Sequence, residues 1–227
     1  MIINLFDLEK RFPEKISEAI TDYYGSGARD GITLERNRSI FNKYELLPKL
    51  LRDVSKINTS CNILGLKIDH PILIAPMAMQ AMAHPDGETA TVLASKKSNT
   101  IMTLATSSNK SIEDISPHHD KLFFQLYFAK NRKITEDMLT RCYKENYKAI
   151  VFTADAPRLG TREKDERNYF KMPGHLSLGN FKGTSFEKYD DYEGSSMNMH
   201  SDHLFDPTLT FKIIPWIKEK SKLPVLV

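Results

Sequence analysis

The 227-residue sequence contains few cysteines, only Cys61 and Cys142. Two cysteines form neither a disulfide framework nor a zinc cluster, so we expect a reducing compartment and no metal site. Charge of one sign is also scarce, because 32 basic residues against 29 acidic ones leave a net charge of +3. So small an excess does not indicate a nucleic-acid partner.

Long hydrophobic runs are absent as well. No stretch approaches the roughly 18 to 20 apolar residues that a membrane helix requires, so we expect no membrane partner. Charged residues begin at Asp7 and Glu9, too early for a secretory signal, and secretion is not expected. Hydrophobic residues nevertheless make up 41% of the chain, which excludes disorder over its whole length.

Five short apolar runs recur along the chain and end in small or polar residues. They cover 71–76, 100–104, 122–127, 149–153 and 223–227. Continuous runs of about 5 to 6 apolar residues without alternation are typical of strands buried on both faces, as in parallel sheets. The segments between them have helical patterns, so the sequence predicts an α/β fold with right-handed crossovers.

Local signals place several helix ends. Ser111–Asp114 has the form of a capping box. Thr135 is predicted to cap a helix whose apolar side includes Tyr143. The connection 156–207 is longer than usual, and its polar part 189–196 is predicted to be a mobile loop.

Polar side chains follow the predicted strands where chemistry gathers in α/β folds, at the carboxyl ends. Gln125 and Tyr127 share one face of a strand, and Thr153 and Asp155 follow the next one, with Arg162 beyond. These groups suit a polar planar cofactor and a bidentate clamp on a carboxylate. An alternative stays open, in which Gln125 and Thr153 only satisfy buried backbone groups and Asp155 pairs with Arg162.

Several motifs in the same order resemble the FMN-dependent 2-hydroxy acid oxidase and dehydrogenase family, to which glycolate oxidase, lactate oxidase and mandelate dehydrogenase belong. They are Tyr23–Ala28, Asn37–Arg38, Ile74–Gln80, His84–Glu88, Phe124–Tyr127, Thr153–Gly160 and Arg162–Glu163. The resemblance runs from Leu5 to Val227 and implies a TIM (β/α)8 barrel. Under this resemblance residues 1–227 form a single domain, incomplete at the C-terminus and truncated after about five of the eight strands.

The resemblance also implies a function. FMN would be the cofactor, and a small (S)-2-hydroxy acid would be oxidised to the 2-oxo acid, with oxygen as acceptor and hydrogen peroxide as product. The full-length form is expected to be a homo-oligomer, peroxisomal in a eukaryote and otherwise cytoplasmic. The alternative is a truncated, inactive member, because the seven histidines lie outside the family's catalytic histidine motif and the flavin-facing lysine is not found.

Residue roles follow from the same resemblance. Tyr23 and Tyr127 would bind the substrate, Arg162 would clamp its carboxylate, and Asp155 would support the histidine base. The backbone of Pro76, Met77 and Ala78 would lie along the flavin, whose polar ring edge would bind Gln125 and Thr153.

Two positions depart from the family pattern. Ala105 stands where a serine is common, so one hydrogen bond to the flavin is missing or is supplied by Thr106. Ser107 stands where glycolate-type members carry a tryptophan, which opens the pocket to larger 2-hydroxy acids.

Overall fold

A computed structural model of the chain describes residues 1–156, 158–188 and 201–227. The predicted mobile loop 189–196 lies outside these residues, as do Pro157 and His200. The chain divides into two compact units. The first contains Met1–Thr59 and Gly160–Phe170, and the second contains the other described residues.

Helices and strands alternate through most of the chain. The main α-helices are α1 (Leu5–Arg11), α2 (Glu18–Gly25), α3 (Ile32–Ser39), α4 (Gly87–Lys97), α5 (Ile112–Ile115), α6 (Arg132–Lys144), α7 (Glu163–Arg167) and α8 (Ile213–Ser221). The strands are β1 (Cys61–Ile63), β2 (Leu66–Ile68), β3 (Met102–Ala105), β4 (Leu122–Leu126), β5 (Ala149–Phe152) and β6 (Val225–Leu226). Helices α1, α2, α3 and α7 belong to the first unit.

Strands β3, β4, β5 and β6 form one parallel sheet in that order. All residues of β3 and β4 are buried, as continuous apolar runs predict for strands covered on both faces. Because helices connect these parallel strands, the α/β prediction is confirmed, and the sheet fits part of a (β/α)8 barrel.

The first apolar run, 71–76, differs from the prediction. It forms no strand, and Ile74 alone makes a parallel bridge, to Met102. The Ile74 N–H donates to Ile101 O at 2.9 Å and the Thr103 N–H donates to Ile74 O at 3.0 Å. Pro76, two residues on, has no N–H to continue this ladder, which explains why the pairing does not extend beyond Ile74.

An antiparallel hairpin of β1 and β2, which the sequence did not predict, lies at the amino end of the sheet. Its Ile68 packs in a buried cluster with Ile101, Phe123 and Ala149, all at or near strand starts. Lys121 Nζ also donates to Lys67 O at 2.6 Å. The hairpin therefore covers the amino edge, and the polar strand ends lie at the opposite edge.

Helix starts follow the sequence signals in one case and not in the other. The capping box is confirmed, because Asp114 N donates to Ser111 Oγ at 3.1 Å and Ser111 N donates to Asp114 Oδ2 at 2.9 Å. The Thr135 cap is wrong, since α6 starts three residues earlier and Asn131 Oδ1 accepts from Lys133 N.

The hydroxyl of Thr135 has another partner. It is buried and accepts a hydrogen bond from Ala129 N at 3.0 Å, in the chain that leaves β4. Tyr143, predicted on the apolar side of this helix, is 50% exposed. Within the described ranges, no helix has the length and apolar character needed to cross a bilayer.

Candidate functional site

Gln125 links the carboxyl ends of three neighbouring strands in the second unit. Its side chain is buried at the end of β4. Its Oε1 accepts from the backbone N–H of Thr106, just after β3, at 3.2 Å. Its Nε2 donates to Thr153 Oγ1, just after β5, at 2.9 Å. The predicted convergence of polar groups at this edge is therefore present for β3, β4 and β5.

The Thr106 hydroxyl donates one hydrogen bond and accepts one within this network. It donates to Gln125 O at 2.6 Å and accepts from Tyr127 N at 2.9 Å. The single hydroxyl proton of Thr106 binds a backbone carbonyl here, so it would have to change its partner to supply the hydrogen bond missing at Ala105. Ala105 itself is 4% exposed and carries no polar side-chain atom.

Two side chains of this network still have a hydrogen-bond donor that a ligand could use. An amide nitrogen has two N–H groups, and Gln125 Nε2 uses one of them on Thr153. The Thr153 hydroxyl accepts that bond and still has its own proton to give. Thr153 is half-buried. The alternative was that Gln125 only satisfies buried backbone groups. This is so for Oε1, whose partner is Thr106 N, but not for Nε2, whose partner is the Thr153 side chain.

Tyr127 and Asp155 lie near each other at the same edge. Burial raises the pKa of the Tyr127 phenol, and the negative charge of Asp155 raises this pKa further. The Tyr127 ring packs against Phe205, with 4.7 Å between ring centroids. Asp155 is exposed. Tyr127 therefore stays a neutral hydrogen-bond donor over the physiological pH range.

The segment proposed to lie along a flavin is partly open and is tied to the next loop. Pro76 and Met77 are exposed and Ala78 is half-buried. Met79, with a left-handed φ of 54°, is buried and its N–H donates to Ser107 O at 3.1 Å. Ser107 is only 6% exposed, so this structure places it in a buried loop beside the segment.

Asn180, which the sequence analysis missed, holds the loop after β3. Its Oδ1 accepts from Ile112 N at 2.9 Å. Its Nδ2 lies within hydrogen-bond distance of Ala105 O (3.2 Å), Thr106 O (3.1 Å) and Ser108 Oγ (2.9 Å). Asn180 comes from the long connection after β5, and nothing in its sequence context distinguishes it from other loop asparagines.

In the first unit, Arg162 and Tyr23 come together although they lie far apart in the sequence. Arg162 Nη2 donates to Tyr23 O and, at 3.2 Å, to Ser26 Oγ. The Arg162 Cζ atom lies 5.5 Å from the centre of the Tyr23 ring. The Tyr23 ring is also stacked on Phe170 at 4.6 Å.

The carboxylate that binds Arg162 is that of Asp165. Arg162 Nε donates to Asp165 Oδ2 at 2.5 Å, and the Asp165 side chain is 1% exposed. Burial raises the pKa of Asp165 by more than the Arg162 hydrogen bond lowers it. The alternative prediction paired Arg162 with Asp155. In the structure Arg162 pairs with Asp165 instead.

The chemistry of these groups is hydrogen bonding. The edge of the second unit offers amide, hydroxyl and phenol donors, which match the carbonyl and ring-nitrogen acceptors of a polar planar cofactor. Among the described residues, no group of three His, Cys, Asp or Glu side chains could hold a metal ion.

Comparisons with known proteins agree with this donor set. Residues 13–227 match the family described as FMN-dependent dehydrogenase. Glycolate oxidase 1 of Zea mays is 41% identical over the whole chain, and glycolate oxidase of Spinacia oleracea is 39% identical. The chain spans 62% of the length of both relatives.

Solved structures give the same picture. A mandelate oxidase with (S)-4-hydroxymandelic acid superposes with a TM-score of 0.93 at 29% identity, covering 99% of this chain and 63% of that one. A lactate oxidase of Pediococcus acidilactici superposes with a TM-score of 0.87 at 30% identity, covering 99% of this chain and 59% of that one.

Proposed function

The chain belongs to the FMN-dependent dehydrogenase family, and from that premise we propose that it serves the oxidation of a small (S)-2-hydroxy acid to the 2-oxo acid. Oxygen would be the electron acceptor, giving hydrogen peroxide. The relatives named glycolate, mandelate and lactate oxidase support this substrate class. Because the chain spans 62% of the curated relatives, the activity belongs to a proposal about the whole protein.

The Gln125 network is the observation that carries the proposal. Gln125 Nε2 and the Thr153 hydroxyl would bind the polar edge of the flavin ring, and the backbone of 76–78 would lie along the ring. FMN, when bound, supplies the acceptor for the two electrons that leave the substrate. The protein groups fix the orientation of the ring, since Gln125 is itself held by Thr106 N.

The substrate groups follow the same logic. Tyr127 is a neutral phenol that would donate to the hydroxy acid. The described bonds of Arg162 use Nε and Nη2, so Nη1 remains to bind a substrate carboxylate, with Tyr23 beside it in the first unit. The negative charge of Asp155 would support a histidine base, which the resemblance assigns to a motif that we do not find in these 227 residues.

Other parts of the proposal concern the whole protein. Residues 1–227 would belong to a single FMN hydroxy acid dehydrogenase domain. A homo-oligomer would form, located in peroxisomes in a eukaryote and in the cytoplasm otherwise.

Flavin titration of the purified 227-residue polypeptide tests the proposal. The proposed contacts all involve the ring, so riboflavin and FMN should both lose fluorescence on binding and should have similar dissociation constants. Nicotinamide mononucleotide, which has a ribose phosphate but no flavin ring, is the control and should displace neither. If the fluorescence of both flavins stays unchanged up to a millimolar concentration of the polypeptide, the proposal is contradicted.

A further inference from the structure

Glu88 is a buried acid that the proposed chemistry does not use. It lies in the first turn of α4, and its side chain is fully buried. Glutamate is almost never fully buried unless it has partners. Its Oε1 accepts from two backbone groups, Gln80 N at 3.2 Å and Asn109 N at 3.0 Å.

The two partners of Glu88 belong to the two loops that meet at the carboxyl edge. Gln80 follows the 76–78 segment directly, and Asn109 follows the buried Ser107 loop. A further bond joins the same loops, since Ala81 N donates to Asn109 Oδ1 at 3.0 Å. Glu88 therefore joins the proposed flavin segment to the loop that follows β3.

The start of α4 lies close to the backbone of the loop that follows residues 76–78. A side chain added at Gly87, whose φ is +47°, would place its Cβ atom 3.0 Å from Ala81 N. Helix α4 therefore packs directly on the loop that contains Ala81. It places the Glu88 carboxyl group between this loop and the loop that contains Asn109.

We infer that Glu88 is a positioning residue that clamps Gln80 and Asn109 together and so holds the 76–78 backbone in place for the flavin. The flavin part of this inference rests on the proposed function, whereas the clamp itself does not. Glu88 Oε2 accepts no hydrogen bond from the described residues. A glutamine can therefore keep the essential acceptor at Oε1 and place its NH2 group at the Oε2 position.

Amide hydrogen exchange on the flavin-free polypeptide tests the clamp. In Glu88→Leu, the Gln80 and Asn109 amides lose their acceptor and should exchange at least about tenfold faster. In Glu88→Gln, both rates should stay within about threefold of the wild type, because the acceptor remains. The matched control is Ser95→Ala, which removes a buried hydrogen bond to Thr100 O from the same helix.

The outcomes separate the clamp from general loosening. Unchanged exchange in Glu88→Leu would overturn the inference, and so would equal acceleration of the two amides in Ser95→Ala. Equal acceleration in Glu88→Gln would also overturn it, because the acceptor alone would then not suffice. Should Glu88→Leu not fold, Glu88→Asp replaces it. Its shorter carboxylate cannot reach both amides, so at least one must lose protection.

Riboflavin binding then tests the functional consequence. Glu88→Leu should raise the riboflavin dissociation constant by about tenfold, and Glu88→Gln should restore wild-type affinity. A wild-type polypeptide that shows the clamp in hydrogen exchange but binds no flavin would reject the proposed function and leave the clamp standing. If the Gln80 and Asn109 amides exchange faster in Glu88→Leu but the riboflavin dissociation constant is unchanged, the positioning role is rejected.

Discussion

Replacing Gln125 by leucine separates the two roles that the structure gives to its amide. The substitution puts an apolar side chain of similar size in place of the amide, and it removes Oε1, which accepts from Thr106 N, and Nε2, which donates to Thr153 Oγ1. A purely structural amide would affect stability alone. An amide that also binds a flavin would affect stability and flavin affinity together.

The magnitudes follow from burial. Thr106 is 1% exposed, so its N–H cannot turn to water and its loss of an acceptor costs about 1 to 3 kcal/mol. Thr153 is half-buried and can bind solvent instead. The leucine recovers part of the loss, because an apolar side chain is favoured over a polar one in a buried position. We expect a net destabilisation of about 1 to 2 kcal/mol.

The loss of flavin affinity depends on Nε2 alone, because Oε1 binds the protein backbone. One lost hydrogen bond from Nε2 is worth about 0.5 to 1.5 kcal/mol, which corresponds to an affinity about 2- to 12-fold lower. Thr153→Val, which removes the other proposed donor, should weaken riboflavin binding by a similar factor. Ser95→Ala is the control, because Ser95 is buried in α4 and binds Thr100 O near the opposite edge of the sheet.

Two measurements on the same variants decide the question. Urea unfolding followed by circular dichroism gives the free energy of unfolding without ligand, and flavin fluorescence gives the dissociation constant. Gln125→Leu should change both quantities, whereas Ser95→Ala should change only the first. A destabilised Gln125→Leu variant with wild-type flavin affinity would refute the binding role and restore the alternative of a structural amide.

Two further predictions concern titration and the first unit. The raised pKa of Tyr127 means that its phenol stays protonated above pH 10, where an unfolded tyrosine ionises, so stability falls as pH rises beyond about 10. Tyr127→Phe should reduce this loss in unfolding experiments at pH 9 and 11, and an identical loss would contradict it. Asp165→Asn should destabilise the chain by about 2 kcal/mol because it removes the buried charge that accepts from Arg162 Nε. Lys164→Gln, which removes an ion pair whose lysine is 57% exposed, should cost at most about 1 kcal/mol, and equal melting temperatures of the two variants would contradict this.

The strands that the sequence predicted well are those whose apolar runs have no interruption. The runs 122–127 and 149–153 contain β4 and β5, and the run 100–104 covers all of β3 except its last residue, because burial on both faces leaves a continuous apolar pattern. The run 71–76 has the same apolar character but is flanked by prolines, and it forms a single bridge. Hydrophobicity alone therefore overestimates a strand where backbone donors are missing.

The helix starts show a second limit. The capping box at Ser111 was predictable because its partners lie three residues apart and the bonds are local. The cap of α6 was not, since threonine and asparagine are both good caps and the choice between them depends on tertiary contacts. Thr135 is used to hold the chain leaving β4, a contact that local sequence does not encode.

At the candidate site, the positions of polar groups were predictable but their partners were not. The rule that chemistry gathers at the carboxyl ends of strands placed Gln125 and Thr153 together. The bond from Gln125 to Thr106 spans 19 residues, and the bond from Asn180 to Ala105 spans 75. Such bonds depend on the packed distance between strand ends, which no local pattern specifies.

The edge loops of the second unit are positioned mainly by buried polar side chains. Gln125, Asn180 and Glu88 each bind backbone groups of residues that follow different strands or runs. A buried N–H that loses its acceptor cannot recover the bond from water, so a single substitution at one of these residues releases the loop it holds. Apolar side chains in the sheet can exchange with others of similar volume at smaller cost. The geometry at this edge should therefore be more sensitive to substitution of these three polar residues than to conservative exchanges in the apolar core.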